Sequence, residues 1–427
     1  MTAMSIDRRA FMRKLAGCAA AGALAVPYRF ARAQAGARVI VIGGGYSGAT
    51  CAKYIRRWSP DIEVTLIERT RDFISCPLSN LVLGGTRTLP ALTLNYEGLR
   101  KHGIKLVFGD AVAIDAAART VRLAGGETLA YDRLVIAPGV DPVYDTIPGL
   151  KSAEAQSRVL HAWKAGEQTV ALRRQLEAMR DGGVFAIHVP RAPYRCAPAP
   201  YERACQVAWY LKNTKPKSKV LVLDANEDVQ SKKALFMAAW NGPYKGLVEY
   251  RPNSDLVDVD VQTLTAKLEF EDVKADVLNI VPPQRASAIA ASAGLITANG
   301  RWCGVDWLTM ESVAQKGIHV LGDATLSAPV MPKSGHMANQ HGKVCAAAVI
   351  ALINNQPVNR QPMMVNTCYS FVDDKSAGHV STVHAYDAAE KTMLVVKGSG
   401  GLSEKANELE GGYANSWASN IWADMLA

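Results

Sequence analysis

Three cysteines of this 427-residue chain lie in segments whose composition predicts loops: Cys76, Cys196 and Cys368. A cysteine thiolate is both a nucleophile and a redox group, so we treat these three as candidate reactive residues. Other cysteines lie among apolar residues in helical patterns and are expected to be small core residues. Those are Cys51, Cys205 and Cys345, with Cys303 left as a packing residue.

Metal and haem motifs are absent from the sequence. It has no CxxC, no CxxCH and no cluster of cysteine and histidine at zinc-site spacing. Those motifs attach c-type haem or bind zinc. The sequence therefore predicts neither a c-type haem nor a metal site in this chain.

A glycine turn, Gly43-x-Gly45-x-x-Gly48, follows a β-branched run at Arg38–Ile42 and opens a helix that runs to about Arg57. In this context the first two glycines permit a tight turn and a close approach of a pyrophosphate, and the third lets the helix pack against the strand. The helix N-terminus then faces the phosphates. A strand, this turn and a helix together predict a dinucleotide site.

An acidic residue completes the pattern. Glu68 closes the second strand, Glu63–Ile67, and lies 20 residues after Gly48. A carboxylate at that place can bind the adenosine ribose hydroxyls. We assign to the same cofactor site Arg69 beside Glu68, and Ala137 and Gly139 where the strand Arg133–Ala137 ends.

The dinucleotide is predicted to be FAD. Gly322 and Asp323 follow a buried strand at Gly317–Leu321, where an aspartate can bind the ribityl chain of a flavin. A second glycine turn would be needed for NAD(P)H. A second α/β block begins near Leu150, and its strand Val184–Val189 is followed by a segment rich in proline, 190–200. Because this segment has no glycine turn, it is not expected to bind a pyrophosphate. NAD(P)H is therefore not expected as the electron donor.

Length and composition predict several globular domains. Apolar residues make up 49% of the chain and charged residues 20%, and five of the nine net positive charges lie in residues 1–35, so a nucleic-acid partner is not expected. The boundaries that we expect are a leader at 1–35, an FAD-binding domain at 36–149 and 275–355, a second Rossmann-like domain at 150–274 and a C-terminal domain at 356–427. In this division the strand Ala275–Val281 returns the chain to the first domain.

The N-terminus has three parts of an export signal. Arg8 and Arg9 form a twin-arginine pair, the apolar stretch Leu15–Val26 is too short to span a bilayer, and a small-x-small site ends at Ala35 before Gly36. The sequence therefore predicts twin-arginine export of a folded protein to the periplasm, with cleavage near Ala35. No stable membrane insertion is expected.

The loop segments also resemble those of a known family, the flavin-binding subunit of flavocytochrome c sulfide dehydrogenase. The resemblance runs nearly the length of the mature chain. Its most specific parts are the glycine turn, the Cys-x-Leu-Ser-Asn segment at Cys76, Tyr194–Arg203, Met331–Gly335, Asn366–Ser370 and Ser416-Trp417.

The resemblance implies two Rossmann-like domains of the glutathione-reductase type, the first discontinuous and FAD-binding, with a small α+β C-terminal domain. It implies that Cys76 bonds covalently to FAD and that Cys196 and Cys368 form a redox disulfide. It also implies a heterodimer with a c-type cytochrome subunit that carries the haem, and sulfide or polysulfide as substrate. Site positions carried over with it are Glu202 near the disulfide, Trp417 beside the flavin ring, and Lys333 and Ser334.

Alternatives remain open from the residues alone. Cys196 and Cys368 can form a purely structural disulfide, Cys76 can be a buried thiol, and Glu202 can be a proton acceptor or a solvated acid at a helix start. The rival functions are a sulfide:quinone reductase, for which the tail Ala414–Ala427 would have to dock on a membrane, and a non-catalytic redox partner in a thiosulfate-oxidising system. We expect this tail to pack over the flavin.

Overall fold

The computed structural model describes residues 36–427, so the predicted twin-arginine leader lies outside the described residues. The strands in chain order are β1 Arg38–Ile42, β2 Glu63–Glu68, β3 Asp72–Ile74, β4 Thr93–Asn95, β5 Lys105–Phe108, β6 Ala111–Asp115, β7 Thr120–Leu123, β8 Thr128–Ala130, β9 Arg133–Ile136, β10 Val140–Pro142, β11 Val184–Val189, β12 Lys219–Asp224, β13 Val248–Arg251, β14 Leu256–Asp260, β15 Thr265–Leu268, β16 Asp272–Lys274, β17 Val277–Ile280, β18 Gln284–Ala286, β19 Ile296–Ala298, β20 Trp302–Cys303, β21 Ile318–Val320, β22 Met363–Phe371, β23 Ala377–Asp387, β24 Thr392–Val395 and β25 Gly401–Leu402.

The α-helices are α1 Tyr46–Trp58, α2 Asn80–Gly84, α3 Glu97–Lys101, α4 Ala153–Arg158, α5 Glu167–Ala178, α6 Ala199–Thr214, α7 Lys233–Asn241, α8 Ala288–Ser292, α9 Gly335–Ile353 and α10 Glu408–Leu426. Short 3₁₀ turns lie at Pro90–Leu92, Pro148–Leu150 and Gly322–Ala324.

The first sheet is parallel, with strand order β21-β9-β1-β2-β5. Its central strand β1 is a run of Val and Ile, and Val39 to Ile42 are all buried. Such a run is typical of a strand covered on both faces. The expected βαβ unit, the glycine turn included, is therefore confirmed.

The second sheet is also parallel, with strand order β13-β12-β11-β17. Here one sequence-based prediction is wrong. The strand expected at Ala275–Val281 does not return to the first sheet; Val277–Ile280 pairs with β11, and the later strand β21 makes the return. A strand that is buried on both faces has the same sequence pattern in either parallel sheet, so composition cannot assign it.

The C-terminal region forms an antiparallel sheet in which β22 pairs with β23 over nine residues. Cys368 lies within β22 and not in a loop, so that expectation is also wrong. Helix α10, at the C-terminal end of the chain, packs against the first domain. It buries Ala414, Ile421 and Trp422, and its Trp422 Nε1 donates to Tyr46 Oη at 3.1 Å.

Helices α1 and α9 pack along each other beneath the cavity described next. They approach so closely that a Cβ at Gly342 would lie 2.5 Å from the carbonyl oxygen of Ser47. Cys51 on α1 and Cys345 on α9 hydrogen-bond through their thiols in this interface and are fully buried. Their expected role as core residues is confirmed, as is that of Cys205 on α6.

Candidate functional site

A cavity of about 600 Å³ lies at the carboxyl ends of the first sheet's strands and reaches the start of α6, the start of α9, strand β22 and helix α10. With one exception, Gly48, every site residue expected from the sequence lines it: Gly43, Gly45, Glu68, Arg69, Cys76, Ala137, Gly139, Cys196, Glu202, Gly322, Asp323, Lys333, Ser334, Cys368 and Trp417.

The glycine turn forms one end of the cavity. Gly43 has φ +95°, and a Cβ there would lie 2.3 Å from the carbonyl oxygen of Ala137. A Cβ at Gly48 would lie 1.9 Å from the carbonyl oxygen of Gly43, so Gly48 holds the helix against the strand and stays behind the wall. A Cβ at Gly45 would meet no protein atom within 4 Å, which leaves the N-terminus of α1 open to a ligand.

Glu68 closes this end of the cavity. Its Oε2 accepts a hydrogen bond from the backbone N–H of Gly44 at 2.6 Å, and its Oε1 accepts from Arg69 and Thr70. The carboxylate is thus fixed beside the turn by backbone donors. The Arg69 guanidinium pairs with Asp110 at 2.7 Å on the exposed rim.

At the other end of the cavity one polar atom has no partner. Asp323 Oδ1 is buried and makes no hydrogen bond, and burial raises the pKa of this carboxyl while Arg195 and Lys333 lower it. A buried acceptor without a donor is rare in proteins and fits a ligand hydroxyl. Together with the open space at Gly45, it fits a dinucleotide that extends from the helix N-terminus to Asp323.

Lys333 and Ser334 form the adjoining wall. Lys333 Nζ donates to the carbonyl oxygens of Asp323 and Thr325 and lies 3.8 Å from the ring centre of Trp302, and burial lowers its pKa to about 8. The Ser334 hydroxyl caps α9 by accepting from Met337 N–H at 3.1 Å. The two side chains therefore fix the backbone around Asp323 and the start of α9.

Cys196 and Cys368 meet at the cavity wall, although 172 residues separate them in the chain. Cys196 precedes α6 with φ +61°, and its N–H donates to the carbonyl oxygen of Lys333 at 2.8 Å. The two thiols hydrogen-bond each other, and both are free in the structure. The arrangement allows a disulfide to form and open at the edge of the cavity.

The two thiols differ electrostatically. The hydrogen bond with Cys196 lowers the pKa of Cys368 to about 7, against the opposing effect of burial, and the Lys232 charge lowers it further. The same hydrogen bond, together with burial, raises the pKa of Cys196 well above its ordinary value. Cys368 is therefore the sulfur that carries negative charge more readily.

Glu202 lies behind this pair, in the first turn of α6. It is only 8% exposed, so the alternative of a solvated acid at a helix start is wrong. Its two oxygens accept from Phe371 N–H and from Asn80 Nδ2, each at 2.8 Å, and burial raises its pKa. Glu202 thus ties the end of β22 to α6 and α2, and its role as a proton acceptor stays a prediction.

Cys76 faces the cavity from the loop between β3 and α2. Its sulfur accepts from the backbone N–H of Ala165 at 3.4 Å and from Arg195 Nη2 at 3.6 Å. These two donors hold the Cys76 sulfur at the cavity wall. Arg195 was not predicted as a site residue from the sequence. Its position directly before Cys196 is a sequence feature that could have indicated it.

In the second sheet, a cluster of aromatic and acidic side chains packs at the carboxyl end of β12. Asp224 ends β12, and its carboxylate accepts from Tyr201 Oη at 2.7 Å and from Tyr250 Oη at 3.1 Å. Aromatic rings pack around it, with Tyr201 5.7 Å from Phe236 and 6.2 Å from Trp240. Side chains of the chain itself thus fill the region beyond the strand ends, which agrees with the missing glycine turn.

Trp417 lies on α10 at the cavity rim. Its ring centre is 5.9 Å from that of His336 and 6.4 Å from that of Tyr369. The expectation that the tail packs over the cofactor site agrees with this position. Among residues 36–427, no helix is both long and apolar enough to cross a membrane, and no group of three or more potential ligands is placed to hold a metal ion.

Three family models match the chain. Residues 37–178 match the pyridine nucleotide-disulphide oxidoreductase family. Residues 169–282 match the central part of the sulfide dehydrogenase [flavocytochrome c] flavoprotein chain, and residues 360–426 match the flavin-binding part of flavocytochrome c sulphide dehydrogenase.

The fold is also that of a solved structure, the sulfide:quinone oxidoreductase of Aquifex aeolicus, with a TM-score of 0.73 and 19% identity over 91% of each chain. Together with the family match this confirms the expected α/β architecture with Rossmann-like domains. The chain is a flavoprotein of the disulfide oxidoreductase superfamily.

Within that superfamily it belongs with the sulfide-processing flavoproteins. Its relatives include the mitochondrial sulfide:quinone oxidoreductase of Mus musculus, 22% identical over 75% of this chain and 73% of that one, and the sulfide-quinone reductase of Aquifex aeolicus, 25% identical over 77% and 80%. The flavocytochrome c flavoprotein chain of Chlorobaculum thiosulfatiphilum is 53% identical over 45 residues, 10% of this chain and 94% of that one.

Proposed function

We propose that this chain is the FAD-bearing subunit of an exported sulfide dehydrogenase that passes electrons singly to a c-type cytochrome subunit. The observation that carries the proposal is the meeting of Cys196 and Cys368 at the wall of the cavity that the glycine turn opens. Such a pair is a two-electron group placed directly beside a dinucleotide site. The twin-arginine leader supports export to the periplasm, where a cytochrome partner would be encountered.

Hydrosulfide enters this scheme as a nucleophile toward the oxidised pair. Attack on Cys196 forms a new sulfur–sulfur bond to Cys196, breaks the Cys196–Cys368 bond and leaves the electron pair on Cys368. The thiol with the lower pKa is the better leaving group, which favours departure of Cys368. We assign to Glu202 the proton that the resulting persulfide releases, since burial raises the pKa of this carboxyl.

The cofactor site is assigned to residues that fit FAD. Gly43 and Gly45 would accommodate the pyrophosphate, Glu68 the adenosine ribose and Asp323 the ribityl chain, with Trp417 beside the ring and Cys76 as the covalent link. A bound flavin accepts an electron pair and releases electrons one at a time. Because Tyr201 and its neighbours fill the second sheet's ligand region, the cysteines are the favoured entry for electrons.

A sulfide:quinone reductase is the second candidate. The names of two relatives that align over about three quarters of this chain favour it. The C-terminal helix argues against it, because α10 turns Ile421, Trp422 and Met425 into the core and leaves Leu409 and Tyr413 as its large exposed apolar residues. Two exposed residues make a small surface for docking on a membrane.

The acceptor decides between these candidates. We expect the purified, oxidised protein to reduce soluble cytochrome c when sodium sulfide is added, and to reduce a short-chain quinone far more slowly. Cys368→Ser removes the redox pair and should abolish both reactions, whereas Cys205→Ser, a change of a buried cysteine outside the cavity, should retain them.

Rapid quinone reduction without cytochrome reduction would support the second candidate. If neither acceptor is reduced while the Cys196–Cys368 disulfide remains intact, the chain is a non-catalytic redox partner. Full activity of Cys368→Ser would show that the pair has no redox role.

A further inference from the structure

Lys232 occupies a position that is unfavourable for a lysine in three respects. It is 5% exposed, although burial disfavours a charged amine. Its backbone has φ +54°, in the left-handed region that non-glycine residues rarely adopt. It also precedes the first turn of α7, where the helix dipole repels a positive charge. Costs of this kind often mark residues with a function.

The Lys232 side chain reaches the redox pair. Its Nζ donates to the backbone carbonyl oxygen of Cys368 at 2.7 Å. None of the ion pairs found within residues 36–427 includes Lys232. The groups on which its charge acts are therefore the buried carboxyl of Glu202 and the thiol of Cys368.

We propose that Lys232 is a positioning residue for the redox pair: its ammonium group, held by the carbonyl of Cys368, stabilises the negative charge that develops on the Cys368 sulfur when the disulfide opens. Lys232 thereby favours departure of the Cys368 sulfur over that of Cys196. This inference rests on the proposed function of the same site and adds to it a cation that increases the difference between the two sulfurs.

The charges around Cys368 come from three elements. Cys196, before α6, donates a hydrogen bond to the thiolate and lowers its pKa; Lys232, before α7, lowers it as well. Glu202 on α6 raises it when ionised. On the other sulfur, the nearby Arg195 lowers the pKa of Cys196, but burial and the contact with Cys368 outweigh that effect. Lys232 is thus the cation that acts on Cys368 in particular.

The test is the pH dependence of thiol reactivity in the reduced holoprotein, with neither sulfide nor acceptor present. Iodoacetamide alkylates each cysteine, and peptide mass spectrometry resolves the rates at Cys368 and Cys196. We expect a midpoint near pH 7 for Cys368 and a higher one for Cys196. Lys232→Met should raise the Cys368 midpoint by about one pH unit or more, because it removes a nearby opposite charge.

Two matched variants control this experiment. Lys232→Arg keeps the charge and should restore the midpoint near that of the wild type. Lys233→Met removes the adjacent exposed lysine, which pairs with Asp228, and should leave the midpoint unchanged. A purely structural role for Lys232 would alter the melting temperature without moving the midpoint.

A second measurement reads the direction of opening. When the oxidised protein reacts with a limiting amount of 2-mercaptoethanol, the mixed disulfide should form on Cys196 and free the Cys368 thiolate, and Lys232→Met should reduce this preference. The proposal is overturned if wild-type Cys368 titrates at or above the ordinary thiol value of about 8.5. It is also overturned if folded Lys232→Met keeps the wild-type midpoint. If Lys232→Met does not fold, Lys232→Gln, which keeps a donor for the Cys368 carbonyl but carries no charge, provides the same comparison. None of these measurements depends on sulfide turnover.

Discussion

At the scale of single residues, positively charged side chains lie next to the three cysteines that line the cavity. Arg195 contacts Cys76 at 3.6 Å and directly precedes Cys196, so one guanidinium acts on both of these cysteines. At Cys368 the neighbouring cation is Lys232, whose Nζ donates to the Cys368 carbonyl oxygen. Each of the three loop or strand cysteines thus has a positively charged neighbour, whereas the core cysteines Cys51 and Cys345 have only each other.

A prediction at this scale concerns Cys76. If its sulfur is bonded to the flavin, acid precipitation of the wild-type protein leaves the yellow chromophore on the denatured chain. Cys76→Ser should release all of it, because the remaining contacts are lost when the chain unfolds. Cys205→Ser, a change of a fully buried cysteine, should retain it. Complete release from the wild type would mean that the flavin is held without a covalent bond.

At the scale of strands and helices, some features of the fold could be predicted from the sequence and others could not. The βαβ unit with Gly43 and Glu68 was predictable because its parts are local: a β-branched run, a glycine turn and an acid at a strand end. The placement of Val277–Ile280 was not, because both sheets bury their strands on two faces. Cys368 was expected in a loop because its neighbours are polar, but Asn366 and Ser370 point inward and are buried.

The site residues also divide into those with a local sequence signal and those placed by contacts between distant segments. The motif residues around the cavity follow from the sequence, whereas Lys232 has no local signal. Its contact with Cys368 spans 136 residues and exists only after the second sheet and the C-terminal sheet have packed together. The burial of Glu202 likewise depends on Phe371 and Asn80, which belong to distant parts of the chain.

The filled ligand region of the second sheet gives a prediction at the scale of an element. Tyr201→Phe removes one hydrogen bond to the buried Asp224 carboxylate and leaves Gln230 N–H without its acceptor. We expect it to lower the free energy of unfolding by about 1–3 kcal/mol. Tyr413→Phe, at a tyrosine that is 52% exposed, should change it by less than about 0.5 kcal/mol. Equal effects in urea unfolding would contradict the assigned role of Tyr201.

The whole molecule depends on contacts between its parts. Cys196 follows a strand of the second sheet, Cys368 lies in the C-terminal sheet, and the glycine turn follows a strand of the first sheet. Helix α10 is anchored on α1 by Tyr54 Oη, which donates to Asp424 Oδ1 at 2.5 Å, and by Lys53 Nζ, which donates to the Ala423 carbonyl at 2.9 Å. Cys196, Cys368 and the glycine turn therefore line one cavity only while all three regions are assembled.

Buried histidines make that assembly sensitive to acid. Burial lowers the pKa of His188 in the second sheet to about 4, of His319 in the first sheet to about 4 and of His341 on α9 to about 3. Each has a ring nitrogen without a partner, so a second proton would have no acceptor. Between about pH 6.5 and pH 4 these histidines are therefore protonated in the unfolded chain but remain neutral in the folded chain.

The stability that these histidines contribute is therefore complete above about pH 6.5 and is lost as the pH falls toward 4, by up to about 1.4 kcal/mol per pH unit for each imidazole. We expect thermal unfolding to show a melting temperature that decreases steeply over this interval. His188→Gln keeps a donor for the Ser254 carbonyl but cannot titrate, so its melting temperature should depend less on pH, whatever its value at neutral pH. A melting temperature that stays constant from pH 6.5 to 4.5, or a slope that His188→Gln leaves unchanged, would show that these imidazoles do not control the acid stability of the assembled site.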